Sequence, residues 1–166
     1  MTGDFGEEKT EITETLSLKE GLFKGAVHEL GHFYCAKELG WKTKEPPRLV
    51  LTVGPDVTGK VRVKGDIDLD VTESDPSKPN KVFFAAGYAA EQLNGCFTNY
   101  YSQEDNDQIP SGAIDEAVNV AKGIVEPYSR EITNIANLMV GKIEGKGNGV
   151  FSFEPADLGV EDLVKK

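Results

Sequence analysis

Residues 17–40 read SLKEGLFKGAVHELGHFYCAKELG. Ser17 followed three residues later by Glu20 is a capping box, in which each side chain satisfies a backbone N–H at a helix start. From there Leu22, Phe23, Ala26, Val27, Leu30, Phe33 and Leu39 recur at helical spacing. Gly40 stands where helices commonly end in left-handed backbone. The pattern predicts a helix over about 18–39, and both histidines of the chain, His28 and His32, fall inside it.

Within that helix, His28-Glu29-Leu30-Gly31-His32 is an HExxH sequence. At about 100° per residue, positions four apart lie one turn apart on one face, so two imidazoles can share one metal ion. Glu29 sits at the edge of that face. From there it can take a proton from a water whose pKa zinc has lowered toward 7, and pass it to a leaving amine. Gly31 leaves room beside the ligands, at a cost of about 0.5–1 kcal/mol to a helix interior.

A catalytic zinc takes three protein ligands. No further histidine exists, so the third is Cys, Asp or Glu. Cys35 lies one turn past His32, too far along the helix to share the metal, and reads as core. Two carboxylates on later elements are candidates: Glu91 in Ala89-Ala90-Glu91-Gln92, and Asp107 at the start of a later helix, where it would also act as an N-cap.

Around the motif helix the pattern is mixed. Leu49 to Val53, Lys60 to Val63 and Asp66 to Val71 read as strands. Helices are predicted over about 81–93, 108–125 and 130–143, stopped by Asn94-Gly95, Pro127 and the Gly-rich stretch 145–149. Val150 to Phe153 reads as a short strand, and Val160 to Val164 as a last helical turn. Residues 1–16 read as a flexible arm, in which Glu11 to Leu16 could form an edge strand. The fold class expected is α+β, predominantly helical, with a small antiparallel β-ribbon after the HExxH helix, in one domain over 1–166.

Two stretches imitate other sites. Gly54 to Val61 is one residue short of a phosphate-binding loop: Val61 stands where Ser or Thr must bind Mg²⁺, and Lys60 to Lys64 alternates like a strand, so a hairpin loop is expected. Asp66-Ile67-Asp68-Leu69-Asp70 opens like a calcium loop, but the required Gly is Val71 and the closing Glu is Ser77, leaving a charged strand face.

With 166 residues the chain can bury a real core, and 39% hydrophobic with 28% charged residues is ordinary for a soluble protein. A net charge of −10 leaves no basic footprint for nucleic acid or anionic membrane. No apolar run is long enough to span a bilayer. Met1 to Thr15 lacks the basic start and apolar stretch of an export signal, and Cys35 and Cys96 then read as reduced thiols, so a cytoplasmic location is expected.

The order of these pieces resembles the peptidase domain of the FtsH-type proteases, the M41 metallopeptidases. The resemblance rests on HELGH at 28–32, the strands that follow, Gly87-Tyr88-Ala89-Ala90-Glu91-Gln92, Asn106-Asp107 at a helix start, and Ala117 to Lys122, and covers about 18–143. It implies a zinc-dependent peptidase in which His28, His32 and Asp107 bind Zn²⁺ and Glu29 is the general base. It implies peptides or unstructured protein segments as substrates, cleaved without ATP, since the family's ATPase module and membrane anchor have no counterpart here. The sequence departs from the family pattern in the third helix, where Gln108 to Ala113 separate Asp107 from the best-matching part. Asp105, Asp115 and Glu91 therefore stay alongside Asp107 as third-ligand candidates. The alternative function is a catalytically inactive, zinc-containing module that binds peptides or proteins.

Overall fold

The computed structural model describes residues 18–73, 80–96, 114–161 and 163–164. Helix α1, Leu18–Glu38, runs through the middle of the molecule. From Glu29 to Ala36 every residue is buried, because other elements pack on all sides of this half. A helix enclosed in this way needs no polar face, which is why its apolar pattern is broad. Its end is a Schellman motif: Trp41 N–H donates to Ala36 O at 3.0 Å, Gly40 N–H to Lys37 O at 3.1 Å, and Gly40 takes φ +77°. The capping residue Ser17 lies outside the described residues.

One side of α1 rests on a three-stranded antiparallel sheet of order β3-β2-β5. Strand β2 is Arg48–Pro55, β3 is Val61–Asp68 and β5 is Gly149–Phe153; the two-residue strand β1, Lys42–Thr43, precedes them. In β2 the side chains of Leu49, Leu51 and Val53 are buried while those between them are half-buried, the alternation of a sheet with one covered face. Leu51 stands opposite Gly65 on β3 and Phe151 on β5. A second, minimal ribbon pairs β1 with β4, Val71–Glu73, and Val164 bridges to Thr43 alongside it.

The other sides of α1 are covered by helices α2, Asn80–Leu93, α3, Ile114–Val125, and α4, Ser129–Ile143. A 3₁₀ turn, Glu126–Tyr128, joins α3 to α4 with Pro127 inside it. Helix α4 buries Ile132, Ile135, Ala136, Met139, Val140 and Ile143, a stripe at helical spacing that faces α1. Among the described residues no helix is long and apolar enough to cross a membrane.

The α+β architecture, the hairpin after the motif helix and the positions of the described helices agree with the sequence reading, and two details differ. The strands expected at 60–63 and 66–71 are one continuous strand through Gly65, and Val71 belongs to β4 instead. Gly65 does not interrupt β3, because an extended backbone accommodates glycine and the missing side chain has a use at the site below. The helical turn expected at 160–164 is a 3₁₀ turn at Pro155–Leu158, set by the reciprocal box between Glu154 and Asp157 and ended by Gly159. The third helix is described only from Ile114, so the expected start at 108, the arm at 1–16 and its possible strand lie outside the described residues.

The loop that imitates a phosphate site is a hairpin turn closed on itself. Asp56 Oδ1 accepts from the N–H groups of Thr58 at 2.8 Å and Lys60 at 3.2 Å, and Oδ2 from Arg62 Nε at 2.8 Å. The amides a phosphate would need are turned to that carboxylate.

Candidate metal centre

His28, Glu29 and His32 take different surroundings because successive residues on a helix point about 100° apart. The two histidines face α2, whereas Glu29 faces β3. Three close approaches, each at a residue without a side chain, define these positions. A β-carbon on Gly31 would stand 2.6 Å from Ala86 O and 2.7 Å from the β-carbon of Ala90, so only glycine lets α1 and α2 come this near. A β-carbon on Gly87 would overlap the imidazole of His28. A β-carbon on Gly65 would stand 2.5 Å from Glu29 Oε2, so the carboxylate lies directly against the β3 backbone.

The imidazoles are held through their Nδ1 atoms. His32 Nδ1 is 2.8 Å from Phe83 O, and a carbonyl only accepts, so Nδ1 carries the proton and donates. His28 Nδ1 is 3.1 Å from Glu91 Oε2. Glu91 is 3% exposed, and its other oxygen has the Lys24 ammonium 3.8 Å away. A carboxylate flanked by that cation accepts from the ring, so Nδ1 of His28 also donates. Ring packing fixes the planes further: His28 meets Tyr88 edge-on at 4.8 Å between centroids, and His32 lies 5.0 Å from Phe83.

With Nδ1 donating, a neutral imidazole presents Nε2 as a lone pair, and the two Nε2 atoms face one another at 3.1 Å. Two lone pairs at this distance repel unless a metal ion or a shared proton lies between them. A tetrahedral zinc with Zn–N bonds of about 2.0–2.1 Å would hold two nitrogens about 3.4 Å apart, close to the separation seen. The donor set is also chemically suited, since neutral imidazole is a borderline-soft ligand that zinc accepts. The two imidazoles therefore fit two positions of a tetrahedral zinc ion.

Glu91 was one candidate for the third ligand. It lies on the Nδ1 side of His28, remote from the edge that faces His32, which suits it to orienting the ring. Asp107 and Asp105 lie outside the described residues. Asp115 is exposed in the first turn of α3. Cys35 is fully buried in the core, as expected, and burial pushes its thiol up to about 12. Among the described residues no group of three His, Cys, Asp or Glu side chains is assembled.

Sequence reasoning left out the carbonyl of Phe83, the ammonium of Lys24 and the two glycines, Gly65 and Gly87, that admit Glu29 and His28. A backbone acceptor leaves no mark in a sequence. The glycines are visible as residues, but their partners are 36 and 59 positions away. No protein-family model matches the chain, and comparison with curated proteins and with solved structures returns no match.

Proposed function

We propose that this chain is a zinc-dependent peptidase of the α+β, HExxH type, acting on peptides or unstructured protein segments. His28 and His32 hold the metal through Nε2, Glu29 is the general base, and Asp107 is the third ligand implied by the M41-like resemblance. The observation that carries the reading is the pair of Nε2 atoms 3.1 Å apart, each on a ring whose Nδ1 already donates. A metal ion bound between the two Nε2 atoms accounts for that arrangement.

Bound there, zinc supplies Lewis acidity, lowering the pKa of a water molecule and polarising a scissile carbonyl. The remaining work belongs to the chain. Glu91 and the Phe83 carbonyl keep both rings in the tautomer that offers Nε2. Glu29 accepts the water proton on its carboxylate and returns it to the nitrogen of the leaving amine. Strand β3 pairs only with β2 among the described residues, which leaves its second edge as the place for an extended peptide to add by main-chain hydrogen bonds next to Glu29.

The test is metal content and hydrolysis measured together on zinc-reconstituted protein. Wild type should carry one zinc per chain and cleave unstructured peptides. His28→Ala should lose both, and Glu29→Gln should keep the metal and lose cleavage. Absence of zinc from wild type would overturn the reading. Zinc without hydrolysis in wild type would make the chain a zinc-stapled binding module.

A further inference from the structure

The outer face of β3 carries charges in a fixed order beside Glu29. Lys64, Asp66 and Asp68 are all exposed and, at alternate positions, share the face turned away from α1. Asp68 has Arg48 opposite it on β2, but Asp66 stands opposite Val50 and Lys64 opposite Thr52. The sheet itself therefore supplies neither Lys64 nor Asp66 with a charge directly across. Between them is Gly65, whose position is in contact with the Glu29 carboxylate.

From this order we infer that the β3 edge selects peptides by the direction of a charge pair, a conclusion that rests on the peptidase reading above. An antiparallel strand added to β3 places one residue opposite Gly65, on the face of Glu29. Its N-terminal neighbour then lies opposite Asp66, and its C-terminal neighbour opposite Lys64. Opposite charges directly across two strands attract and like charges repel. The favoured segment is basic, then any residue, then acidic, with the middle residue beside Glu29. The reverse order sets acid against Asp66 and base against Lys64. A second copy of the chain is a poorer occupant, because two molecules of net charge −10 repel.

The experiment uses two labelled, unstructured peptides of identical composition, one containing Lys-Ala-Glu and the other Glu-Ala-Lys. Their binding to zinc-reconstituted Glu29→Gln protein is followed by fluorescence anisotropy at low salt. The Lys-first peptide should bind about tenfold more tightly, from two favourable cross-strand pairs against two unfavourable ones. The double variant K64E/D66K should reverse the preference, and added salt should erase it in both proteins. Equal binding, or a preference unchanged by the double variant, would overturn the inference. Wild-type cleavage of both peptides at equal rates would also overturn it while leaving the peptidase reading intact. Ordered binding without wild-type cleavage would support the edge and sink the peptidase reading instead. Self-association broken by K64E and restored by K64E/D66K would assign the edge to a second copy and overturn the inference.

Discussion

The carboxylate of Glu29 occupies the place where a β-carbon of Gly65 would be, with Oε2 2.5 Å from that position. The general base of the proposed reaction thus lies directly against a strand backbone. Gly65→Ala keeps an extended backbone that alanine adopts freely, so the fold should survive. The added methyl should push the carboxylate aside while His28 and His32, which face α2, keep their metal. A misplacement of about 1 Å at a reacting group lowers rates by about 10²-fold. The expected result is near-normal zinc content with peptide hydrolysis reduced by about that factor. Hydrolysis unchanged in Gly65→Ala would show that Glu29 does not need this seat.

Gly87 gives the complementary case on the other side of α1. Alanine is the better helix former by about 1 kcal/mol, so on helix propensity alone Gly87→Ala should stabilise α2. The new β-carbon would overlap the His28 ring and drive it away from both Glu91 and His32. Zinc affinity, measured by competition with a chelator, should fall at least tenfold, the size of effect seen when a ligand's support is disturbed. Unchanged affinity would mean that the ring has a second rotamer from which it still binds.

Glu91 separates orientation from ligation. If its carboxylate only fixes the His28 ring, Glu91→Gln should still offer an oxygen to Nδ1 and weaken zinc binding by about 10–100-fold without abolishing it. Glu91→Ala should do more, because it removes the acceptor of His28 Nδ1 and the carboxylate beside Lys24. The stoichiometry under saturating zinc should stay at one per chain in both variants. Complete loss of the metal in Glu91→Gln, matching His28→Ala, would identify Glu91 as a ligand.

Local signals made the motif helix readable: an apolar period and a terminal glycine, each acting within a few residues. The β2–β3 hairpin was readable for the same reason, since Asp56 and Gly59 shape a turn from inside it. What failed depends on partners far along the chain. Gly31 was expected to make room for the ligands, yet it admits the Ala86 carbonyl and the Ala90 methyl of α2. That contact brings Glu91 to His28, so a glycine between the ligands positions a carboxylate 60 residues further on. Glu91 was recognised as a site candidate, but a sequence does not tell whether a carboxylate meets Nδ1 or Nε2 of a histidine. Gly65 was passed over as a gap between two strands because its contact with Glu29 exists only once α1 lies on the sheet.

The two thiols give a test of the core that is independent of catalysis. Burial, with the Glu38 charge adding to it, pushes Cys35 from the ordinary thiol value of 9.0 up to about 12. Burial and then Glu91 push Cys96 up to about 11, with Lys24 opposing. A thiol whose folded pKa is raised favours the folded state while it remains protonated. Its contribution is complete below pH 9, where the thiol is also protonated in the unfolded chain, and is lost as pH rises toward 12. Native protein at pH 8 should therefore react slowly with iodoacetamide at both cysteines, and urea should release both. The unfolding midpoint should decline between pH 9 and 11 in wild type, and less steeply in Cys35→Ala, although that variant starts lower because it leaves a cavity. Rapid native alkylation of Cys35 at pH 8 would show that the middle of α1 opens far more readily than its burial implies.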